Sequence, residues 1–90
     1  MDEMIETVLK SIIDGVRSLI PPEDGVNAYE LVEAREWGVA LELLCTQLFE
    51  YDAVVPLDIR EEIAAVGGLM GLDESNWTDL AVDAKVFSPS

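Results

Sequence analysis

Histidine is absent from this chain, only one cysteine, Cys45, is present, and five basic residues stand against nineteen acidic ones in 90 residues. Each shortage removes a class of function. One cysteine excludes an intramolecular disulfide framework, and without histidine no Cys/His metal-ligand set can be assembled. A nucleophilic Cys45 would lack the imidazole base that usually activates a thiol. Five cations are too few for a phosphate-binding surface, so nucleic acid is not a plausible partner, nor is an anionic membrane. Neither an apolar run of 18 or more residues nor a basic-then-apolar leader is legible, which makes a soluble, cytoplasmic protein the expectation. No glycine-rich phosphate loop and no calcium-loop pattern occurs, and the reading is of a non-enzyme without cofactor or metal.

What is present is charge of one sign on a hydrophobic chain. The net charge is −14, yet half the residues are hydrophobic. Those apolar residues recur at helical spacing, so the acids must coat a folded core rather than mark a disordered segment. A surface of this kind steers cationic partners. The length fits one all-α domain over 1–90, a small bundle of about four helices plus a short C-terminal helix or turn, with no sheet. Residues 1–2 and about 83–90 are expected to fray.

The first stripe, Met4, Ile5, Val8, Leu9, Ile12, Ile13, Val16, Leu19 and Ile20, predicts a helix that stops at Pro21-Pro22, with Glu6, Lys10 and Asp14 on its solvated face. Asn27 and Glu30 have capping-box spacing and predict a short second helix over about 28–34 after a loop from Pro21 to Val26. A break near Arg35 follows because Val32 and Trp37 lie ~140° apart on a helical wheel, too far for one narrow stripe. The third helix, about 36–51, carries Trp37, Ala40, Leu41, Leu44, Cys45, Leu48 and Phe49, with Val39 and Leu43 on a second flank. A helix so widely apolar should be the enclosed, central one, with Cys45 acting as a small hydrophobe.

A turn at Ala53 to Leu57 then leads through the capping spacing of Asp58 and Glu61 into a fourth helix, with Ile59, Ile63, Val66 and Met70 on its core side, and the short loop implies a helical hairpin. Gly67-Gly68 and Gly71 weaken its end. A last turn or short helix carries Trp77 as a lid on the core, and the segment from Ala81 onward has no period. Gly71-Leu72-Asp73-Glu74-Ser75 faintly resembles the prosthetic-group motif of acyl carrier proteins. Glu74 stands where that motif needs Asp, however, and helix capping accounts for Ser75.

Interaction is the remaining class, and the acids can be sorted by subtraction. Asp2, Glu30, Asp58, Glu61 and Asp73 sit at predicted helix starts, where negative charge is favoured. Glu50 and Asp52 sit at a helix carboxyl end, where it is disfavoured. Flanking Tyr51, and brought by the predicted hairpin to the end that carries Asp58, Glu61 and Glu62, they form the first candidate partner-binding surface. Glu33 and Glu36 at the helix break form the second.

The run Glu36-Trp37-Gly38-Val39-Ala40-Leu41-Glu42-Leu43-Leu44-Cys45, followed by Leu48, Glu50 and Pro56-Leu57, resembles the core segment of MafI-family immunity proteins. The likeness extends through Ile63, Met70-Gly71-Leu72 and Trp77-x-x-Leu80 and covers about residues 27–80. It implies a small helical antitoxin that binds and neutralises a cognate secreted toxin in the bacterial cytoplasm. The strongly acidic composition fits a toxin with a basic cleft. The reading from another class is a helical adaptor or regulatory subunit holding a partner helix in an apolar groove, homodimerisation being its simplest form.

Overall fold

The computed structural model describes residues 2–83. Helices α1 (Asp2–Val16), α2 (Pro22–Glu33), α3 (Trp37–Glu50), α4 (Leu57–Leu69) and α5 (Ser75–Thr78) carry the fold, and a 3-10 turn, Arg17–Leu19, follows α1. Two three-residue strands, β1 (Val54–Pro56) and β2 (Ala81–Asp83), pair in parallel with Val54 opposite Ala81 and Pro56 opposite Asp83. The domain is all-α in character. The expectation of no sheet is corrected at this one place; of the ends expected to fray, residue 2 opens α1 and residue 83 closes β2, while residues 1 and 84–90 lie outside the described residues. A parallel pair needs a long crossover, here supplied by α4 and α5 between the strands. Strands this short offer no alternation to read, and Pro56 reads as a turn.

The core is apolar throughout. Leu9, Ile12, Ile13 and Val16 of α1 meet Leu41, Leu44, Cys45 and Leu48 of α3, with Val32, Val55, Ile63 and Val66 closing the sides; no polar or charged residue is buried among the described residues. Helix α3 touches all four other helices, as a central helix should, but α1 shares that position by packing on α2, α3 and α4.

Helix boundaries differ from the sequence pattern where proline decides them. The stripe of α1 runs past its helical end at Val16 into the 3-10 turn, and α2 begins at Pro22 instead of near Asn27. Pro22 presets the helical φ and sacrifices only an amide that a first helical turn leaves unpaired anyway. Glu23 and Asp24 follow in that turn, favourably placed against the dipole. Asn27 and Glu30 are therefore interior to α2, and the capping role assigned to them falls away. Asp58 likewise lies inside the first turn of α4, where its carboxylate accepts from the Ile59 amide at 2.9 Å.

The break at Arg35 is real and has a defined geometry. Arg35 adopts φ +64°, its amide donates to the Val32 carbonyl, and the Glu36 amide donates to the Leu31 carbonyl. These are the paired bonds of a Schellman end. Trp37 secures it by donating its indole N–H to the Val32 carbonyl at 3.1 Å. The same motif ends α3, with Asp52 at φ +50°, and α4, with Gly71 at φ +75°. Two of three left-handed positions thus hold side-chain-bearing residues, at a cost of ~1–2 kcal/mol for a non-glycine. Arg35→Gly should accordingly raise stability by ~0.5–1 kcal/mol after the extra unfolded-state entropy of glycine is subtracted, as read by urea denaturation.

Candidate partner-binding surface

The connection from α3 to α4 is strand β1, and α4 is carried onto α1 while α3 packs most extensively on α2. The most closely packed pair of helices is therefore α2 with α3, not α3 with α4. The simple helical hairpin implied by the short loop is replaced by a link through β1, and α3 and α4 are not each other's main packing partners. Glu50, Tyr51 and Asp52 stay together at the exposed end of α3, with Tyr51 54% exposed. Asp58, Glu61 and Glu62 are exposed on α4, and Glu62 borders a groove against α1 instead. Glu36 is exposed at the N-cap of α3 without a side-chain capping bond.

Glu33 has an intramolecular role. It binds the Lys10 ammonium, which also pairs with Glu6 at 3.0 Å and lies 5.0 Å from the centre of the Tyr29 ring. The hydrogen bonds to Glu33 and then Glu6 hold the Lys10 pKa well above its ordinary value. This clamp ties α1 to the end of α2. Asp14 pairs with Arg17 at 3.2 Å rather than with Lys10. Glu50 and Asp52 make no ion pair among the described residues.

The outer face of α3 supplies residues that the sequence pattern hid. Val39, Glu42, Thr46, Phe49 and Glu50 fall within ~100° of arc on a helical wheel, opposite the core stripe. All are exposed, Val39 at 49% and Phe49 at 55%, so α3 is not enclosed on every side. Phe49 opens onto a cleft of about 230 Å³ between α3 and α5, whose other walls are Cys45, Thr46, Ser75, Asn76, Asp79 and Leu80. The Cys45 thiol beneath it is pushed up to about 12, first by burial and then by the charge of Glu42. It is a neutral floor. Asp73 keeps its capping role at the start of α5, its carboxyl held below the usual range by the Ser75 amide, which donates at 2.8 Å. The signal that could have found this surface is the polar run of Glu42, Thr46 and Glu50 at successive spacings of four, with Phe49 beside it.

A second apolar opening runs between α1 and α4, lined by Met4, Ile5, Val8, Ala65, Val66 and Leu69, of which Leu69 is 64% exposed. Trp77, by contrast, is only 5% exposed and lids the core as the sequence predicts. No helix among the described residues is long and apolar enough to cross a membrane. No group of three or more acidic or cysteine side chains there is placed to hold a metal ion. Comparison of the chain with family models, curated proteins and solved structures found no match.

The acids at the end of α3, without an ion pair among the described residues, allow binding and stability to be separated. Replacing Glu50 by Gln and Asp52 by Asn together should leave the melting temperature unchanged or slightly raised, because anions leave a helix carboxyl end at a gain of ~0.3–1 kcal/mol each, and Asn tolerates the left-handed position as well as Asp. If a basic partner binds this surface, its capture should weaken roughly three- to tenfold, mostly in the association rate. Melting and surface-plasmon measurements on the same double variant check both halves.

Proposed function

We propose that this protein is an immunity protein, resembling the MafI family, that binds a cognate, basic, secreted bacterial toxin through its acidic surface and blocks it in the cytoplasm. The observation that carries the reading is the outer face and carboxyl end of α3. There Glu42, Glu50 and Asp52 make no ion pair among the described residues and surround half-exposed Phe49 and Tyr51, on a chain of net charge −14. Long-range attraction brings a cationic cleft to such a face, and the aromatic rings supply the desolvated anchors that slow release. No chemical step is asked of the chain. Inhibition follows from occupying or covering the toxin's own cleft.

Co-expression tests this directly. A toxin domain encoded immediately upstream should kill cells alone and spare them when this chain is present; equal killing in both cases removes the immunity role.

The adaptor reading is favoured by one feature, the apolar groove between α1 and α4, and its simplest form is a homodimer across that groove. Sedimentation separates the two. A dimer dispersed by Leu69→Lys, with neutralisation lost at the same time, would place function in the groove, whereas a variant that still neutralises leaves it with α3.

A further inference from the structure

We infer that the cleft between α3 and α5 receives a single arginine side chain of the partner, stacked on Phe49 and held by Asp79. The inference rests on the proposed binding role for the partner's identity, but its chemistry stands on this chain's own residues. At about 230 Å³ the cleft is small. Sites for cofactors and drug-sized molecules run to ~300–1,000 Å³, so a single long side chain is the better fit. Phe49, 55% exposed, offers an unused aromatic face at one wall, and Asp79 a carboxylate at another.

The remaining polar groups are biased towards accepting. The Asn76 amide nitrogen already donates to the Asp73 carbonyl at 2.9 Å, which leaves its side-chain oxygen to accept. Glu42 and Glu50 lie one turn on either side of Thr46, and no cationic residue among the described ones lines the cleft. An anionic ligand would be repelled here, and a neutral one would leave the carboxylates unused. Between the two cations, arginine matches better: its planar guanidinium stacks on a ring while its N–H fork reaches a carboxylate, whereas an ammonium is a compact point charge that keeps its water.

Titrating the ¹⁵N-labelled full chain at low salt with blocked arginine (N-acetyl-arginine methylamide), blocked lysine, blocked citrulline and blocked leucine tests this without a toxin. Arginine should bind best, with the largest amide shifts at Thr46, Phe49, Asn76 and Asp79. Phe49→Ala and Asp79→Asn should each weaken it about tenfold, whereas Glu23→Gln, at an exposed position in the first turn of α2, should not. Phe49→Leu keeps the bulk without the ring and should weaken it like Phe49→Ala. Equal binding of lysine and arginine with shifts spread over all the acids would overturn the inference in favour of diffuse attraction, and a preference for leucine would make the cleft an apolar site. The two claims also fail separately. Arginine selectivity without toxin neutralisation removes the immunity role and leaves the cleft, while full neutralisation by Phe49→Ala and Asp79→Asn removes the cleft from the partner surface.

Discussion

Gly67→Ala should destabilise the domain by ~1–3 kcal/mol, although alanine is the better helix former, because the new methyl group would overpack the core. An added Cβ at Gly67 would meet the Trp77 ring, lying 2.7 Å from Cη2 and closer still to Cζ3. Trp77 is buried and its ring is planar and bulky, so it can yield only by giving up its seat on α4. The neighbouring glycine is an internal control. A Cβ at Gly68 meets nothing within 4 Å, and Gly68→Ala should gain ~0.5–1 kcal/mol from helix propensity alone. Two identical substitutions one residue apart should then shift the melting temperature in opposite directions, by ~4–8 °C per kcal/mol for a domain of this size. In a Trp77→Ala background, itself costing ~3–5 kcal/mol, the Gly67→Ala penalty should vanish, and a penalty that persisted would locate the strain elsewhere.

If the proposed immunity role holds, capture of the toxin should slow about a hundredfold between low salt and ~0.5 M salt, from a steered rate near 10⁸ M⁻¹s⁻¹ to about 10⁶. Net charge −14 on a chain of 90 residues, with three cation–carboxylate pairs among the described residues, leaves most of the acids free to act at a distance. Dissociation should respond far less, since the Phe49 and Tyr51 contacts are desolvated once made. Stopped-flow mixing across the salt series reads the two rates separately. A nearly constant association rate would shift the binding surface to the largely apolar groove of Met4, Val8 and Leu69.

Local periodicity was enough to find α1, α3 and α4, the break at Arg35, the lid role of Trp77 and the burial of Cys45. Each depends on neighbours within a turn or two, where the helical repeat converts residue type directly into direction. The capping pattern failed at Asn27 and Glu30 for a local reason as well, since Pro22 and two acids opened α2 earlier. For the candidate surface, the sequence located Glu50, Tyr51 and Asp52 by their conflict with the helix dipole. It could not give Asp52 its second role, because the left-handed turn there depends on the amides of Asp52 and Ala53 folding back on α3.

What tertiary structure alone decided involves residues far apart in the chain. Phe49 is apolar at the edge of an apolar stripe, and only the position of α5 leaves it beside a cleft with Asp79 instead of inside the core. Gly67 reads as a weak helix position until Trp77, ten residues later, occupies the space its missing side chain leaves. The pairing of Val54 with Ala81 and the docking of α4 on α1 are likewise products of chain return. A one-dimensional pattern specifies which face of a helix seeks burial, whereas the partner for that face is chosen by packing the whole chain around one core.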